Sequence, residues 1–160
     1  MTGDADRAAP VQHPMREDQL DAVLALECSA HASSWSREHF LDCLRSGYHA
    51  QCWMDGDALL GFVVAMSGVD EAHLLDLAIA PRYQRQGWGR VLLNAVDAWA
   101  CDTGAYNIWL EVRASNTRAI HVYRTHGYRS VGIRKAYYPC PDGSMEDAIV
   151  MNLHLYPVTP

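Results

Sequence analysis

The stretch of this 160-residue chain richest in chemistry is Gln84-Arg85-Gln86-Gly87-Trp88-Gly89-Arg90. It follows an apolar run that Pro81 breaks, and it opens a segment whose apolar residues recur at helical spacing, so it reads as a loop between a strand and a helix. The first amides of a helix have no carbonyl partner within it, and the aligned peptide dipoles add positive charge there. Such a loop cradles anions. Gly87 and Gly89 let a pyrophosphate approach the backbone, and Arg85 and Arg90 add full charges, although a tight loop that merely needs glycines would have the same pattern. The spacing matches neither the G-x-x-x-x-G-K-S/T of nucleoside triphosphate loops nor the three-glycine dinucleotide pattern.

The surrounding elements follow from periodicity. A first amphipathic helix carries Leu20, Val23, Leu24 and Leu26, and a second, capped by Ser36 and stopped at Gly47, carries Phe40, Leu41 and Leu44. Strands are expected at 49–54 and 58–66, joined by the hairpin turn Asp55-Gly56-Asp57, and again at 73–79. The helix opened by the loop covers 87–101, with Val91, Leu92, Ala95, Val96 and Trp99 on one face. Ile108, Leu110 and Val112 alternate with Trp109, Glu111 and Arg113 as in a strand, Asn116 caps a short helix ending at Gly127, and strands at 128–134 and 147–153 close the chain. The expected order is ααβββαβαββ. Residues 1–14 read as a loose leader, 15–153 as one domain and 154–160 as a tail.

Composition excludes several classes of function. With 13 Lys and Arg against 19 Asp and Glu, the net charge of −6 has the wrong sign for a domain that neutralises nucleic-acid phosphates. The longest uncharged, mostly apolar stretch, 58–69, is too short to span a bilayer as a helix, and the first seven residues lack the apolar region of a secretory signal. Cys28, Cys43, Cys52, Cys101 and Cys140 form no C-x-x-C pair, which points to reduced thiols in a cytoplasmic protein. The eight histidines are scattered without H-E-x-x-H, so no metal is expected.

Gln84 to Gly89 fit Q/R-x-x-G-x-G/A at every fixed position, and in this strand–loop–helix setting the chain resembles the GCN5-related N-acetyltransferase superfamily. The likeness continues through Ile108-Trp109-Leu110-Glu111-Val112-Arg113-Ala114-Ser115-Asn116, Tyr137-Tyr138-Pro139 and Glu146-Asp147-Ala148-Ile149-Val150-Met151, which look like the RimI group of ribosomal-protein alanine N-acetyltransferases. It departs at Ser34-Trp35, where that group often carries Pro-Trp.

The resemblance implies a single-domain α/β fold with a mixed, mostly antiparallel sheet flanked by helices and splayed near Ile79. It implies acetyl-CoA as co-substrate and direct transfer, in a ternary complex, to the N-terminal alanine of small-subunit ribosomal protein eighteen. The acetyl and pantetheine arm would lie against Leu77, Ala78 and Ile79, one of whose amides would hold the thioester oxygen, and the pyrophosphate on the amides of Arg85, Gln86, Gly87, Trp88, Gly89 and Arg90. Asn116 would contact the cofactor, Glu111 would be the general base and Tyr123 the general acid. These types suit the chemistry: an amine must lose a proton before attacking a thioester, and a hydroxyl can protonate the departing thiolate. The bland alternatives are an ion pair of Glu111 with Arg113 or Arg118, and a half-buried core ring for Tyr123. Partners would be acetyl-CoA and a basic N-terminal peptide, with neither nucleic acid nor membrane. Alternatives are the same fold acting on a lysine side chain or small amine, and an acyl-CoA-binding sensor without turnover.

Overall fold

Apolar periodicity and caps decide most of the elements. In a computed structural model that describes residues 9–155, Leu20, Val23 and Leu26 line the buried face of helix α1 (Leu20–Ala30). Helix α2 (Arg37–Arg45) starts where the Ser36 side chain accepts a hydrogen bond from the His39 amide, and it buries Phe40 and Cys43. Helix α3 (Trp88–Asp102) buries Leu92, Leu93, Val96 and Ala100. Helix α4 (Thr117–His126) is capped by Asn116, buries Ile120 and stops at Gly127.

Seven strands form one sheet: β1 (Val11–Pro14), β2 (His49–Asp55), β3 (Ala58–Ser67), β4 (Glu71–Ile79), β5 (Asn107–Arg113), β6 (Arg129–Pro139) and β7 (Met145–His154), in the order β1-β2-β3-β4-β5-β7-β6. Among the described residues only β4 and β5 pair in parallel, as a strand–helix–strand crossover through α3 requires. The sheet separates two cores. Phe62, Val64 and Ala78 pack with α1 and α2, whereas Leu60, Val63, Leu74, Ile108 and Leu110 pack with α3 and α4.

The expected order of helices and strands is found with two short 3-10 helices, Glu17–Gln19 and Pro81–Tyr83, and one strand added. Val11–Pro14, inside the residues assigned to a leader, forms β1 and pairs with β2 from Val11↔Met54 to Pro14↔Gln51. Its apolar alternation is missing because it lies largely exposed at the sheet edge, where a proline is tolerated. Residues 1–8 of that leader and 156–160 of the expected tail lie outside the described residues, while His154 ends β7 and Leu155 is buried.

Two local features position the site. The β4–β5 ladder covers only Glu71↔Asn107 to His73↔Trp109, after which the strands part. On the other side of β4, Ala65 pairs with Leu74 but Val64 with Asp76, so Leu75 is an extra residue. Such a bulge exchanges the faces of everything beyond it: Leu74 joins the α3 core, and Ala78 joins the α1–α2 core.

Gly61 lets β3 lie close against the far end of β4: a Cβ there would sit 2.7 Å from the Ala78 carbonyl oxygen. Backbone must move to admit it. Gly61→Ala is therefore expected to lower the unfolding free energy by about 1–3 kcal/mol in a urea titration, the usual cost of overpacking.

Candidate active site

A cavity of about 880 Å³ opens where β4 leaves β5. Its walls are β4 from Leu74 to Ile79, β5 from Leu110 to Arg113, the start of α3, one side of α4, and the segment after α1. Of the residues singled out in the sequence, Leu77, Ala78, Ile79, Arg85, Gly87, Trp88, Gly89, Arg90, Glu111, Asn116 and Tyr123 all line it. Gln86 does not, because its exposed side chain turns back to donate to the Arg82 carbonyl at 2.9 Å.

The loop owes its shape to two left-handed residues, Arg85 at φ 62° and Gly87 at φ 88°. Val91 is the first amide of α3 to reach a carbonyl one turn back, that of Gly87 at 3.3 Å, which leaves the Trp88, Gly89 and Arg90 amides without a helical partner. Gly89 faces α4 and the end of β4, where a Cβ would make ordinary van der Waals contacts with Val122 at 3.5 Å and Ile79 at 3.7 Å. The loop is braced by Gln84, which donates to the Ile79 carbonyl at 3.0 Å and accepts from Arg118 at 3.0 Å. Gln84 thus holds the cradle to β4 and α4.

Glu111 is bound at both oxygens. His73 Nε2 lies 2.6 Å from Oε2, and Arg134 Nε lies 3.3 Å from Oε1. The sequence alternatives, Arg113 and Arg118, are engaged elsewhere. Arg113 lies over the Tyr138 ring and donates to Ser33 Oγ at 2.7 Å and the Pro139 carbonyl at 2.9 Å. It therefore joins the segment after α1 to the β6–β7 hairpin across one end of the cavity. The hydrogen bond from His73, helped by its charge and that of Arg134, outweighs burial and holds the Glu111 carboxyl below its ordinary range. Glu111 is ionised at neutral pH.

Tyr123 is half-buried, packs edge-on against Tyr128 with ring centroids 5.7 Å apart, and still borders the cavity. Burial, aided by nearby Asp76, pushes its phenol well up, so it carries its proton at neutral pH as a general acid must. The Asn116 Oδ1 accepts from the Ala119 amide at 3.2 Å, which leaves both Nδ2 hydrogens for a ligand.

Sequence reasoning missed a second polar group in the same cavity. Glu27 is 1% exposed and Asp76 8% exposed, both line the cavity, and no donor group reaches Glu27 Oε2 or Asp76 Oδ2 among the described residues. Burial, reinforced by a hydrogen bond with Asp76 and its charge, drives the Glu27 carboxyl far up, so it is protonated at neutral pH and its proton is shared with Asp76. The other Glu27 oxygen accepts from the Trp35 amide at 3.3 Å, and Asp76 Oδ1 lies 2.9 Å from His31 Nε2. Glu27, His31 and Asp76 each offer one ligand atom within 4.8 Å of the others, and a hydrogen bond joins the two acids. The available signal was an acid on the core-facing stripe of a helix and another inside an apolar strand.

Comparison with known proteins identifies the family. Residues 15–128 match the acetyltransferase (GNAT) family, to which the chain belongs, and it is accordingly an acyltransferase. The ribosomal protein bS18-alanine N-acetyltransferase of Haemophilus ducreyi is 36% identical over 139 residues, which cover 87% of this chain and 96% of that protein. Its counterpart in Escherichia coli K12 is 39% identical over 134 residues, covering 84% and 90%. The crystal structure of the ribosomal-protein-S18-alanine N-acetyltransferase from Escherichia coli superimposes with a TM-score of 0.84 at 34% identity, covering 94% of this chain and 97% of that one. Arabidopsis thaliana NAA60 in complex with acetyl-CoA shares the fold, with a TM-score of 0.83 at 18% identity and coverage of 92% and 99%.

The depressed Glu111 carboxyl gives a stability test with a definite sign. Its ion pairs stabilise the fold above the ordinary Glu range and fade as the pH falls through the lower folded value. Urea unfolding at pH 6, 5, 4 and 3 should show wild type losing more stability across this window than Glu111→Gln.

Proposed function

We propose that this acetyltransferase transfers the acetyl group of acetyl-CoA to the α-amino group of an N-terminal alanine, that of ribosomal protein bS18. The observation that carries the reading is likeness over nearly the whole length: relatives 36% and 39% identical, named for that reaction, are matched over 96% and 90% of their own chains. A ribosomal substrate places the reaction in the cytoplasm. No helix among the described residues is long and apolar enough to cross a membrane.

In this reading the pantetheine arm lies along Leu77, Ala78 and Ile79 in the gap left by β5, bonding to backbone as an added strand does. The pyrophosphate rests on the amides from Arg85 to Arg90, Gln86 contributing its backbone alone, with the Arg85 and Arg90 charges nearby. Asn116 reaches the cofactor through Nδ2. An α-amino group of pKa ~7.7–8.0 arrives at neutral pH mostly as ammonium, and Glu111 takes its first proton through one water and passes it to solvent.

The neutral nitrogen then attacks the thioester carbon. An amide in the Leu77–Ile79 segment stabilises the oxyanion, and Tyr123 protonates the departing sulfur. No step calls for a metal. The acidic balance of the chain, −6 overall, suits a basic peptide terminus.

Intact-mass analysis after incubation with acetyl-CoA tests the acceptor. A basic peptide beginning with alanine should gain one acetyl group at its N-terminus; acetylation confined to its lysines would remove the reading. Tyr123→Phe should lower kcat by about 10²-fold or more while acetyl-CoA still binds, as loss of a general acid predicts.

A further inference from the structure

The steps above leave the pair Glu27–Asp76 and its neighbour His31 unused, although all three border the cavity. His31 ends α1, where its amide bonds to the Glu27 carbonyl at 3.0 Å, and about 30% of its side chain is exposed. Its Nε2 lies 2.9 Å from Asp76 Oδ1 and 3.2 Å from the Leu77 carbonyl oxygen. Both are acceptors, so Nε2 carries the hydrogen and the neutral ring keeps its lone pair on Nδ1. Asp76 is held in turn by the Glu27 proton, and Glu27 is held by the Trp35 amide. The imidazole is thus oriented by a buried carboxylate at the strand segment along which the thioester is proposed to lie.

We propose that His31, aligned by Asp76, accepts the proton that the acceptor nitrogen sheds after it has bonded to the acetyl carbon. The inference rests on the acetyl-transfer reading. Attack by a neutral amine forms the C–N bond and leaves that nitrogen positively charged beside the oxyanion. From this intermediate the amine can still depart and restore the reactants. Once a proton has moved from nitrogen to His31 Nδ1, collapse breaks the C–S bond instead, and Tyr123 delivers its proton to sulfur. His31 then releases a proton to solvent and Tyr123 regains one, so amine and acetyl-CoA yield amide and free thiol.

The charged and titratable groups around His31 agree. Burial is the largest single influence and draws the imidazole down, but the Asp76 hydrogen bond and charge, with the Leu77 carbonyl, outweigh it, and Arg113 on β5 opposes them. The net shift is upward. Glu27 on α1 acts through Asp76, whose charge also reaches Tyr123 on α4 and Tyr138 on β6. Glu111, with both oxygens bound and its carboxyl depressed, is the weaker base of the two.

Two measurements test this. Imidazole ¹⁵N NMR of the enzyme without acceptor should show His31 as the Nε2–H tautomer, titrating above the ordinary histidine value, with Asp76→Asn lowering it; an Nδ1–H tautomer would overturn the proposal. CoA release from an Ala-initiated basic peptide should fall about 10²-fold in His31→Gln with KM for acetyl-CoA unchanged, the loss persisting at pH 9, where the amine is already neutral. Imidazole in the buffer should restore part of the rate to His31→Ala. Glu111→Gln should instead recover as the pH rises. A His31→Gln loss that disappears at pH 9, or an unaltered rate, would also overturn it, as would a wild-type rate abolished by EDTA and restored by a divalent cation. Wild type that acetylates another class of amine removes only the acceptor reading, and the His31 comparison is then made on that amine; wild type that turns over no amine removes both.

Discussion

The rest of the molecule depends on the parting of β4 and β5 after three paired residues. A strand cannot leave its backbone groups without partners, and beyond His73 no strand among the described residues lies beside β4 on the β5 side. Leu77 and Ile79 illustrate the consequence, since side chains, His31 and Gln84, supply hydrogen bonds to their carbonyls. The bulge at Leu75, the close approach at Gly61 and the cradle at the head of α3 all serve the same six-residue stretch, 74–79. A ligand with alternating amide groups is the natural partner for such an edge.

Electrostatics divides the cavity. Three acids border it, and their surroundings give them different work: Glu27 is kept protonated by burial and Asp76, whereas Glu111 is kept ionised by His73 and Arg134. Arg113, which also lines the cavity, joins the segment after α1 to the hairpin. One cation therefore shapes the mouth of the cavity and biases the imidazole at its wall.

What could be read in the sequence was what is local. The Gln84–Arg90 loop, the caps at Ser36 and Asn116 and the apolar face of α1 depend on neighbours a few residues away and appear as expected, whereas α3 turns Leu93 and Ala100 inward and leaves Val91, expected on its apolar face, exposed. The splay near Ile79 came from family resemblance, because separation of two strands leaves no mark on either strand's own period. β1 was hidden since an exposed edge strand needs no apolar alternation. The partners of Glu111 lie on β4 and β6, so no spacing rule could have chosen His73 and Arg134 over Arg113 and Arg118. Asp76 was visible as an acid in an apolar run, but its importance depends on α1 bringing Glu27 and His31 against it.

The strand order has a consequence for how this protein coexists with its neighbours. A sheet that offers unpaired backbone in its middle also has two outer margins, and open margins recruit foreign strands into aggregates. Here β1 is four residues long and ends in proline. β6, eleven residues long, is broken by two register shifts against β7, turns through a left-handed Ala136 and carries Arg129, Arg134 and Lys135. Charge, bulges and brevity are the means by which sheets discourage edge-to-edge growth. The backbone is thus offered where a narrow ligand can thread between two strands, and guarded where another polypeptide could add to the sheet.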